Sequence, residues 1–174
     1  MIEKHKVTQF YTAPTAIRAL AKESLEYVQK FPFKSLKVIG SVGEPINEEA
    51  WHWYNDHVGG KRCPVVDTWW QTETGGIMIS PLAFVTPTKP TYASLPLPGI
   101  QPVLMDEKRN EIEGNQVTGS LCIKFPWPSI ARTIWGDHQR YKETYFSAFP
   151  GKYFTGDGAL RDEVGYYRIT GRVS

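Results

Sequence analysis

The segment "DTWWQTETGG" at residues 67–76 places two adjacent tryptophans between an aspartate and a run of hydroxyl, carboxylate and glycine residues. Similar polar residues stand next to other β-type runs and turns of the chain. Those best suited to bind a ligand are Glu44, Asp67, Thr72, Glu73, Asp157 and Arg172. Together they offer carboxylates, a hydroxyl and a guanidinium, which are the groups that a nucleotide needs.

These residue types match the parts of a nucleotide. A carboxylate such as Asp157 can accept hydrogen bonds from both ribose hydroxyls, and a guanidinium such as Arg172 can donate to sugar or phosphate oxygens. The Thr72 hydroxyl can donate to a phosphate, and Glu73 can help to hold Mg²⁺, which neutralises phosphate charge. The residues alone therefore indicate a nucleotide site.

Each of these residues also has an ordinary structural role open to it. Trp69 can stack on a base while Trp70, on the other side of an extended backbone, faces elsewhere; core packing is the commoner role of such a pair. Asp157 stands between glycines and suits a turn, and Glu44 before a proline suits a strand end. Arg172 can pair on the surface, where an ion pair contributes little.

Composition limits the classes of protein that fit. The chain has 174 residues and a formal net charge of +2, and it lacks the basic runs of a nucleic-acid binder. Cys63 and Cys122 lie too far apart for a zinc or redox pair, and the four histidines show no metal-ligand spacing. No signal peptide or membrane-spanning stretch is visible. These features predict a cytoplasmic protein that binds neither nucleic acid nor membranes.

The elements that must position the candidate residues alternate along the first part of the chain. Hydrophobic patterns predict strands at "KVTQFY", "LKVIG" and "CPVVDTWW". Between them, one helix is predicted over residues 14–30, with a stripe of Ile17, Leu20, Ala21, Ser24 and Val28. A second helix, capped by Asn47, is predicted over residues 47–58 with an apolar side of Ala50, Trp51, Tyr54 and Val58. This alternation predicts parallel strands, whose carboxyl ends carry "GSVGEP" and "DTWWQTETGG".

The remaining chain has a different character. Prolines crowd residues 81–102, which predicts a crossing without regular helix. Beyond it, strands are predicted at "PVLMD" and "GSLCIKF", a short helix at "DHQRYKETYF", and a hairpin around "RDEVG". The predicted fold is α/β: a partial parallel sheet with flanking helices over residues of about 5–80, then a smaller, mostly antiparallel β subdomain.

Four motifs in order carry a family resemblance: "YTAPTAIRAL", "GSVGEPIN", "VVDTWWQTETGG" and "YFTGDGALRDEVGYYRITGR". In this combination the chain resembles the AMP-forming acetyl-coenzyme A synthetases, a family of the acyl-adenylate-forming superfamily. The resemblance covers essentially the whole chain. It implies a ligase that joins acetate to ATP as acetyl-AMP, releasing pyrophosphate, and then transfers the acetyl group to coenzyme A, releasing AMP.

The resemblance also implies roles for individual residues. Gly43, Glu44 and Pro45 would line the adenine, and Trp69 would stack on it. Thr72 would contact the α-phosphate and Glu73 the magnesium, so these two are the implied catalytic residues. Asp157 would hold the ribose, assisted by Arg172. The implied nucleotide-binding residues are Gly43, Glu44, Pro45, Asp67, Thr68, Trp69, Trp70, Gln71, Thr72, Asp157 and Arg172.

A small acyl pocket is implied as well. Relatives that take longer acids have glycine at the position of Trp70, so a tryptophan there is expected to shorten the pocket, with Val42 as a further lining residue. Filled volume would then select acetate, tolerate propionate and exclude longer acids. Propionate or another short acid remains an alternative substrate.

The resemblance further implies that much of the parent protein is missing. The family's upstream phosphate-binding loop and its C-terminal domain are not in this sequence, and Ser174 stands where a hinge aspartate is usual. We therefore expect residues 1–80 to be part of a nucleotide- and acyl-binding subdomain, 81–102 a crossing, and 103–174 a β-rich subdomain before a missing domain. The expected partners are acetate, ATP, coenzyme A and the missing parts of the parent chain.

Two other functions remain open on the sequence. A binding-only module would keep the nucleotide loops without turnover, and we expect the excerpt by itself to be inactive. A carbohydrate-binding domain would use exposed tryptophans and tyrosines on an antiparallel all-β fold, which the helical patterns at residues 14–30 and 47–58 disfavour.

Overall fold

The computed structural model describes residues 1–173, so Ser174 lies outside the described residues. The chain forms two compact units. The first consists of Met1–Trp69 and Ser80–Ser94, and the second of Trp70–Ile79 and the described residues from Leu95 onward. The subdomain boundaries expected from the resemblance, at residues 80 and 102, stay a prediction. Within residues 1–173, no helix is both long and apolar enough to cross a membrane.

The first unit carries a parallel sheet with helices. Its helices are α1 (Ile2–His5), α2 (Pro14–Ala21), α3 (Leu25–Gln29) and α4 (Glu48–Trp53), and its strands are β1 (Gln9–Thr12), β2 (Val38–Ser41) and β3 (Val65–Asp67). The strands pair in the order β1-β2-β3, both pairs parallel. The predicted strands and their parallel pairing are confirmed, although β3 ends at Asp67 and leaves both tryptophans beyond it.

The prediction of one helix over residues 14–30 is wrong. Helix α2 ends at Ala21, and Ser24 adopts an extended backbone and begins α3, with its hydroxyl oxygen accepting from the Glu26 N–H at 3.3 Å. The predicted apolar stripe is not uniformly buried within α2 either, where Ile17 is buried and Leu20 is 52% exposed. A serine that caps a new helix therefore prevails over the helical spacing of apolar residues.

The second predicted helix is confirmed in position and in its buried side. Helix α4 continues into a π-helical turn at Tyr54–Val58, and all four predicted apolar residues are buried. Asn47 occupies the N-cap position, but its side chain makes no capping hydrogen bond. The Tyr54 hydroxyl donates to the carbonyl oxygens of Phe10 at 3.2 Å and Gly40 at 3.1 Å. This bond pair ties the helix to β1 and β2, and so fixes the strand ends that carry candidate residues.

The second unit is built on an antiparallel sheet. Its elements are β4 (Pro102–Met105), β5 (Val117–Ile123), α5 (His138–Phe146), β6 (Tyr153–Arg161) and β7 (Tyr167–Arg172), together with a 3-10 turn at Thr72–Thr74. The strand order is β4-β5-β6-β7, and every pair is antiparallel. The predicted α/β fold with a separate antiparallel sheet is thus confirmed. It differs from the all-β fold that a carbohydrate-binding domain would require.

Candidate functional site

In the first unit, two candidate segments follow neighbouring strands. Ser41, the last residue of β2, is the register partner of Asp67, the last residue of β3. The Ser41 hydroxyl donates to Oδ1 of Asp67 at 2.7 Å, and both residues are buried. Burial raises the pKa of Asp67 to about 6, against the lowering effect of the Ser41 hydrogen bond. The Asp67 carboxylate therefore belongs to the sheet and not to the surface.

Thr68 is also occupied by contacts within the sheet. Its hydroxyl donates to the carbonyl oxygen of Ser41 at 2.9 Å, and its Oγ1 lies 2.5 Å from the hydroxyl oxygen of Tyr11. Its backbone N–H donates to the same Ser41 oxygen at 3.1 Å. These bonds fix the direction in which the chain leaves β3, so Asp67 and Thr68 shape the loop that follows them.

The other candidate loop, at residues 42–45, follows β2. Gly43 has φ +95°, and a Cβ added there would meet no atom within 4 Å, so its backbone borders open space. Glu44 accepts hydrogen bonds from Thr15 and, at 3.0 Å, from Nη2 of Arg18. The Thr15 hydroxyl, with Arg18 as a second contributor, lowers the pKa of Glu44. The Glu44 carboxylate is thus bound to α2, while the backbone of Gly43 and the exposed Pro45 present the free surface of the loop.

The adjacent tryptophans differ sharply in exposure. Trp69 keeps 7% of its surface exposed and lies in the first unit, whereas Trp70 is 41% exposed and begins the second unit. The prediction that their side chains face different surroundings is confirmed by this contrast. The burial of Trp69 fits core packing, which is the commoner role of such a tryptophan. Its assigned contact with a base stays a prediction.

In the second unit, hydrogen bonds from residues 127–131 hold the 3-10 turn at Thr72–Thr74. The carbonyl oxygen of the buried Thr74 accepts from Nε1 of Trp127 at 2.8 Å and from the Ser129 hydroxyl at 2.7 Å. The Ala131 N–H donates to the carbonyl oxygen of Glu73 at 2.8 Å. These backbone anchors leave the Thr72 side chain exposed, and residues 1–173 give its hydroxyl no hydrogen-bond partner.

Gly75 closes this turn at a point that only glycine fits. Its φ is +68°, in the left-handed region, and an added Cβ would lie 2.2 Å from the carbonyl oxygen of Ser129. The close approach of two backbone segments therefore sets where Thr72 and Glu73 stand.

Asp157 is the centre of a side-chain network. It is buried, and its Oδ1 accepts from Nη1 of Arg172 at 3.0 Å while Oδ2 accepts from Nε2 of Gln71 at 3.0 Å. The same Gln71 nitrogen donates to the carbonyl oxygen of Thr155 at 2.7 Å. Asp157 and Arg172 are register partners of β6 and β7, which explains their proximity. The structure thus joins three predicted site residues that are far apart in sequence.

Two tyrosines that no sequence motif indicates bind Gln71 and Glu73. The Tyr153 hydroxyl donates to Oε1 of Gln71 at 2.8 Å, and the Tyr145 hydroxyl donates to Oε1 of Glu73 at 2.5 Å. Burial, and then the bond to Glu73, raises the pKa of Tyr145 to about 12, so its hydroxyl keeps its proton at neutral pH. Tyr145 and Glu73 lie 72 positions apart, and no motif marks the tyrosine as functional.

The available cation ligands in this unit are few. Among the described residues, no group of three or more His, Cys, Asp or Glu side chains could by itself hold a metal ion. The half-buried Glu73 binds Tyr145 through Oε1, and its Oε2 makes no hydrogen bond or ion pair within residues 1–173. A single carboxylate oxygen fits Mg²⁺ bound to a nucleotide, because that ion takes one or two protein carboxylates and completes its shell with phosphate and water.

The chain matches a family model and individual known proteins. The model of the family described as "AMP-binding enzyme" matches residues 1–135. The chain is 59% identical over 174 residues to an acetyl-coenzyme A synthetase of Leptospira biflexa, with 99% of this chain and 27% of that protein covered. It is 61% identical over 173 residues to the acetyl-coenzyme A synthetase of Parvibaculum lavamentivorans, with 99% of this chain and 27% of that protein covered. The corresponding match in Coprinopsis cinerea is 57% identical over 173 residues, with 99% of this chain and 26% of that protein covered. The chain therefore spans about a quarter of the length of these curated relatives.

Proposed function

The chain belongs to the family of AMP-binding enzymes, and from this premise we propose that it is a segment of an AMP-forming acetate–CoA ligase. The observation that carries the proposal is the 59% identity, over 99% of this chain, to a protein named acetyl-coenzyme A synthetase. The proposed reaction joins acetate to the α-phosphate of ATP, which releases pyrophosphate. The thiol of coenzyme A then displaces AMP from the acetyl-AMP.

We assign the nucleotide contacts separately in the two units. In the first, the backbone of Gly43 and the exposed Pro45 support the assignment of the 43–45 loop to adenine, since Glu44 is bound to α2. Asp67 and Thr68 support that loop region from the sheet. Trp69 retains its assignment to base stacking on the resemblance.

In the second unit, the proposed ribose and phosphate contacts rest on the hydrogen-bond network. Asp157 accepts from Arg172 and Gln71, so its carboxylate is already oriented before a ligand arrives. We propose that it holds the ribose hydroxyls with the help of Arg172, whose side chain is 73% exposed. The Thr72 hydroxyl is exposed and has no hydrogen-bond partner within residues 1–173, which supports its proposed contact with the α-phosphate.

Glu73 is the proposed ligand of the magnesium ion that accompanies ATP. When bound, this ion neutralises the negative charge of the phosphates and so favours attack on the α-phosphate. Glu73 would supply Oε2 as the ligand. Its carboxylate is half-buried, and Oε1 already accepts a hydrogen bond from Tyr145. Together with Thr72, it is the residue that we propose to act in catalysis.

The acid specificity is proposed to depend on Val42 and Trp70. The 41% exposure of Trp70 supports a role for its ring beyond packing inside its own unit. If this ring limits the acyl pocket, its removal should admit longer acids, because a filled volume rejects extra methylenes by steric clash.

Replacing Trp70 tests this proposal in the full-length protein. We expect Trp70→Gly to raise kcat/KM for hexanoate relative to acetate by about tenfold or more, as several methylenes in a pocket are worth ~1–3 kcal/mol each. The measurement is acid-dependent exchange of labelled pyrophosphate into ATP. Trp135→Gly is the matched control, since Trp135 is 98% exposed, and it should leave the ratio unchanged.

The result separates the proposals that remain open. Exchange with acetate supports the ligase, and higher efficiency with propionate would identify a short-chain acyl-CoA synthetase instead. Nucleotide binding without exchange in the full-length protein would favour a binding-only module. We propose that this chain by itself has no turnover, because the resemblance places the pyrophosphate-binding and adenylating groups outside it, and that the parent protein is cytoplasmic.

A further inference from the structure

The contact between Tyr145 and Glu73 joins two parts of the second unit that the sequence holds far apart. Tyr145 lies in α5, and its hydroxyl donates to Oε1 of Glu73 at 2.5 Å. A short bond from a neutral donor to a carboxylate belongs to the stronger class of hydrogen bonds in proteins. It fixes the rotation of a side chain that otherwise has several free torsions.

The ring of Tyr145 is itself held in place. It stacks on Tyr153 with centroids 5.5 Å apart and an angle of 17° between the ring planes. Tyr153 is 2% exposed and donates its hydroxyl to Gln71 at 2.8 Å. A stacked pair of tyrosines therefore holds two side chains of the same short segment, Gln71 by one hydroxyl and Glu73 by the other.

This arrangement distinguishes the two oxygens of the Glu73 carboxylate. Oε1 is taken by Tyr145, and within residues 1–173 Oε2 has no hydrogen-bond or ion-pair partner. The Glu73 backbone is anchored as well, because its carbonyl oxygen accepts from the Ala131 N–H at 2.8 Å. With both ends of the residue held, Oε2 is the oxygen left to meet a cation.

We propose that Tyr145 is a positioning residue, which holds Glu73 through Oε1 and leaves Oε2 as the ligand of the cation that accompanies the nucleotide. The inference rests on the proposed function, because it takes Glu73 as a magnesium ligand. Partners that orient a metal ligand typically contribute ~10–100-fold to metal affinity or activity. The loss of the tyrosine hydroxyl should therefore weaken the response to magnesium while it leaves the rest of the nucleotide site intact.

The test measures ATP binding to the full-length protein by calorimetry over a series of Mg²⁺ concentrations. Tyr145→Phe removes the hydroxyl and keeps a ring that can stack on Tyr153. We expect it to raise the Mg²⁺ concentration that gives half of the affinity gain by ~10-fold. ATP affinity in the presence of EDTA should stay at its original value.

The matched control is Tyr141→Phe, which removes a hydroxyl from the same helix. The Tyr141 hydroxyl donates to the carbonyl oxygen of Ala131, so Tyr141→Phe removes a hydrogen bond from the same helix without removing a partner of the Glu73 carboxylate. The Mg²⁺ response of this variant should equal that of the original protein. An equal shift in both tyrosine variants would overturn the proposal, because it would reduce Tyr145 to a packing residue.

Glu73→Asp keeps the proposal testable even if Tyr145→Phe does not fold. Glu73→Asp draws the carboxylate back by one methylene from the Tyr145 hydroxyl and should reproduce the shift, whereas an unchanged Mg²⁺ response would contradict the proposal. The double variant Tyr145→Phe/Glu73→Gln should respond as Glu73→Gln alone does, because Tyr145 acts through Glu73. Additive effects would contradict that dependence.

These results are distinguishable from a failure of the proposed ligase. If Glu73→Gln leaves the Mg²⁺ response unchanged, Glu73 is not the cation ligand and the positioning role falls with it. If Tyr145→Phe shifts the response but the original protein shows no acetate-dependent exchange, the positioning role stands and the acetate–CoA ligase is rejected. If exchange occurs and only the shift is missing, the positioning role alone is rejected.

Discussion

In the first unit, the candidate residues at 42–45 and 67–69 lie at the carboxyl ends of two adjacent parallel strands, whereas in the second unit Gln71, Asp157 and Arg172 are connected by side-chain hydrogen bonds and Glu73 is bound by Tyr145. The first arrangement depends on sheet register, since Ser41 and Asp67 are opposite each other at the strand ends. The second depends on contacts between residues up to 86 positions apart. The local sequence pattern therefore predicts where the first-unit candidates lie. The contacts that hold the second-unit candidates are visible only in the folded chain.

The largest expected effect tests the anchor of the 3-10 turn in the second unit. Gly75→Ala would place a Cβ against the Ser129 carbonyl oxygen and demand φ +68° of an alanine. We expect a loss of about 3 kcal/mol or more in the free energy of unfolding, from backbone strain and overpacking together. Urea denaturation measures it.

Gly114→Ala is the control for that loss. Gly114 has φ +78°, but no atom lies within 4 Å of an added Cβ, so only the backbone strain of about 1–2 kcal/mol applies. Equal losses in the two variants would show that the close approach to Ser129 does not hold the turn.

The next effect concerns the buried carboxylate of the first unit. The pKa of Asp67 is about 6 in the folded protein and 3.8 ordinarily, so between these values the folded state holds a proton that the unfolded state releases. The stability of the original protein should therefore fall as pH rises from about 4 to about 6, by ~2–3 kcal/mol. Asp67→Asn replaces the carboxyl group with an amide that does not ionise, so this variant should not show that fall in stability.

The free energies of unfolding of Asp67→Asn and the original protein, measured from pH 4 to pH 7, test this prediction. Their difference should move by ~2–3 kcal/mol in favour of the variant as the pH rises. A constant difference across the range would mean that burial does not dominate the ionisation of Asp67.

A smaller effect is expected when one link of the side-chain network is removed. Tyr153→Phe removes the hydrogen bond to Gln71. Gln71, which donates to Asp157, is then less firmly held. We expect a loss of about 1–2 kcal/mol in the free energy of unfolding and weaker AMP binding, since the half-buried Oε1 of Gln71 is left without its donor. Calorimetric titration with AMP measures the second effect, and unchanged affinity would argue that Gln71 needs no support from Tyr153.

The smallest effect belongs to the exposed ion pair of the first unit. The side chains of Arg18 and Glu44 are 39% and 38% exposed, so Arg18→Met should cost less than ~1 kcal/mol, and less still in high salt. Thermal melts at low and high ionic strength measure it. A larger and salt-independent loss would show that the loop at 42–45 depends on side-chain bonds, as the second unit does.

The sequence was most informative where structure is local. The spacing of apolar residues predicted the three parallel strands and the buried side of α4, and turn residues predicted the hairpin of β6 and β7. It failed at Ser24, where a capping hydroxyl divides a helix that the apolar spacing had joined. Motif order identified the family, but Tyr145 and Tyr153 stayed hidden because their partners are determined only by the packing of α5 and β6.

The nucleotide assignment of both units is tested most directly by titrating AMP into this chain and following backbone amide signals by NMR. We predict shifts at Gly43 and Trp69 in the first unit and at Asp157 in the second, while Gly114 and Trp135, which have no assigned role, do not move. The absence of shifts at Gly43, Trp69 and Asp157 at millimolar AMP would contradict the account.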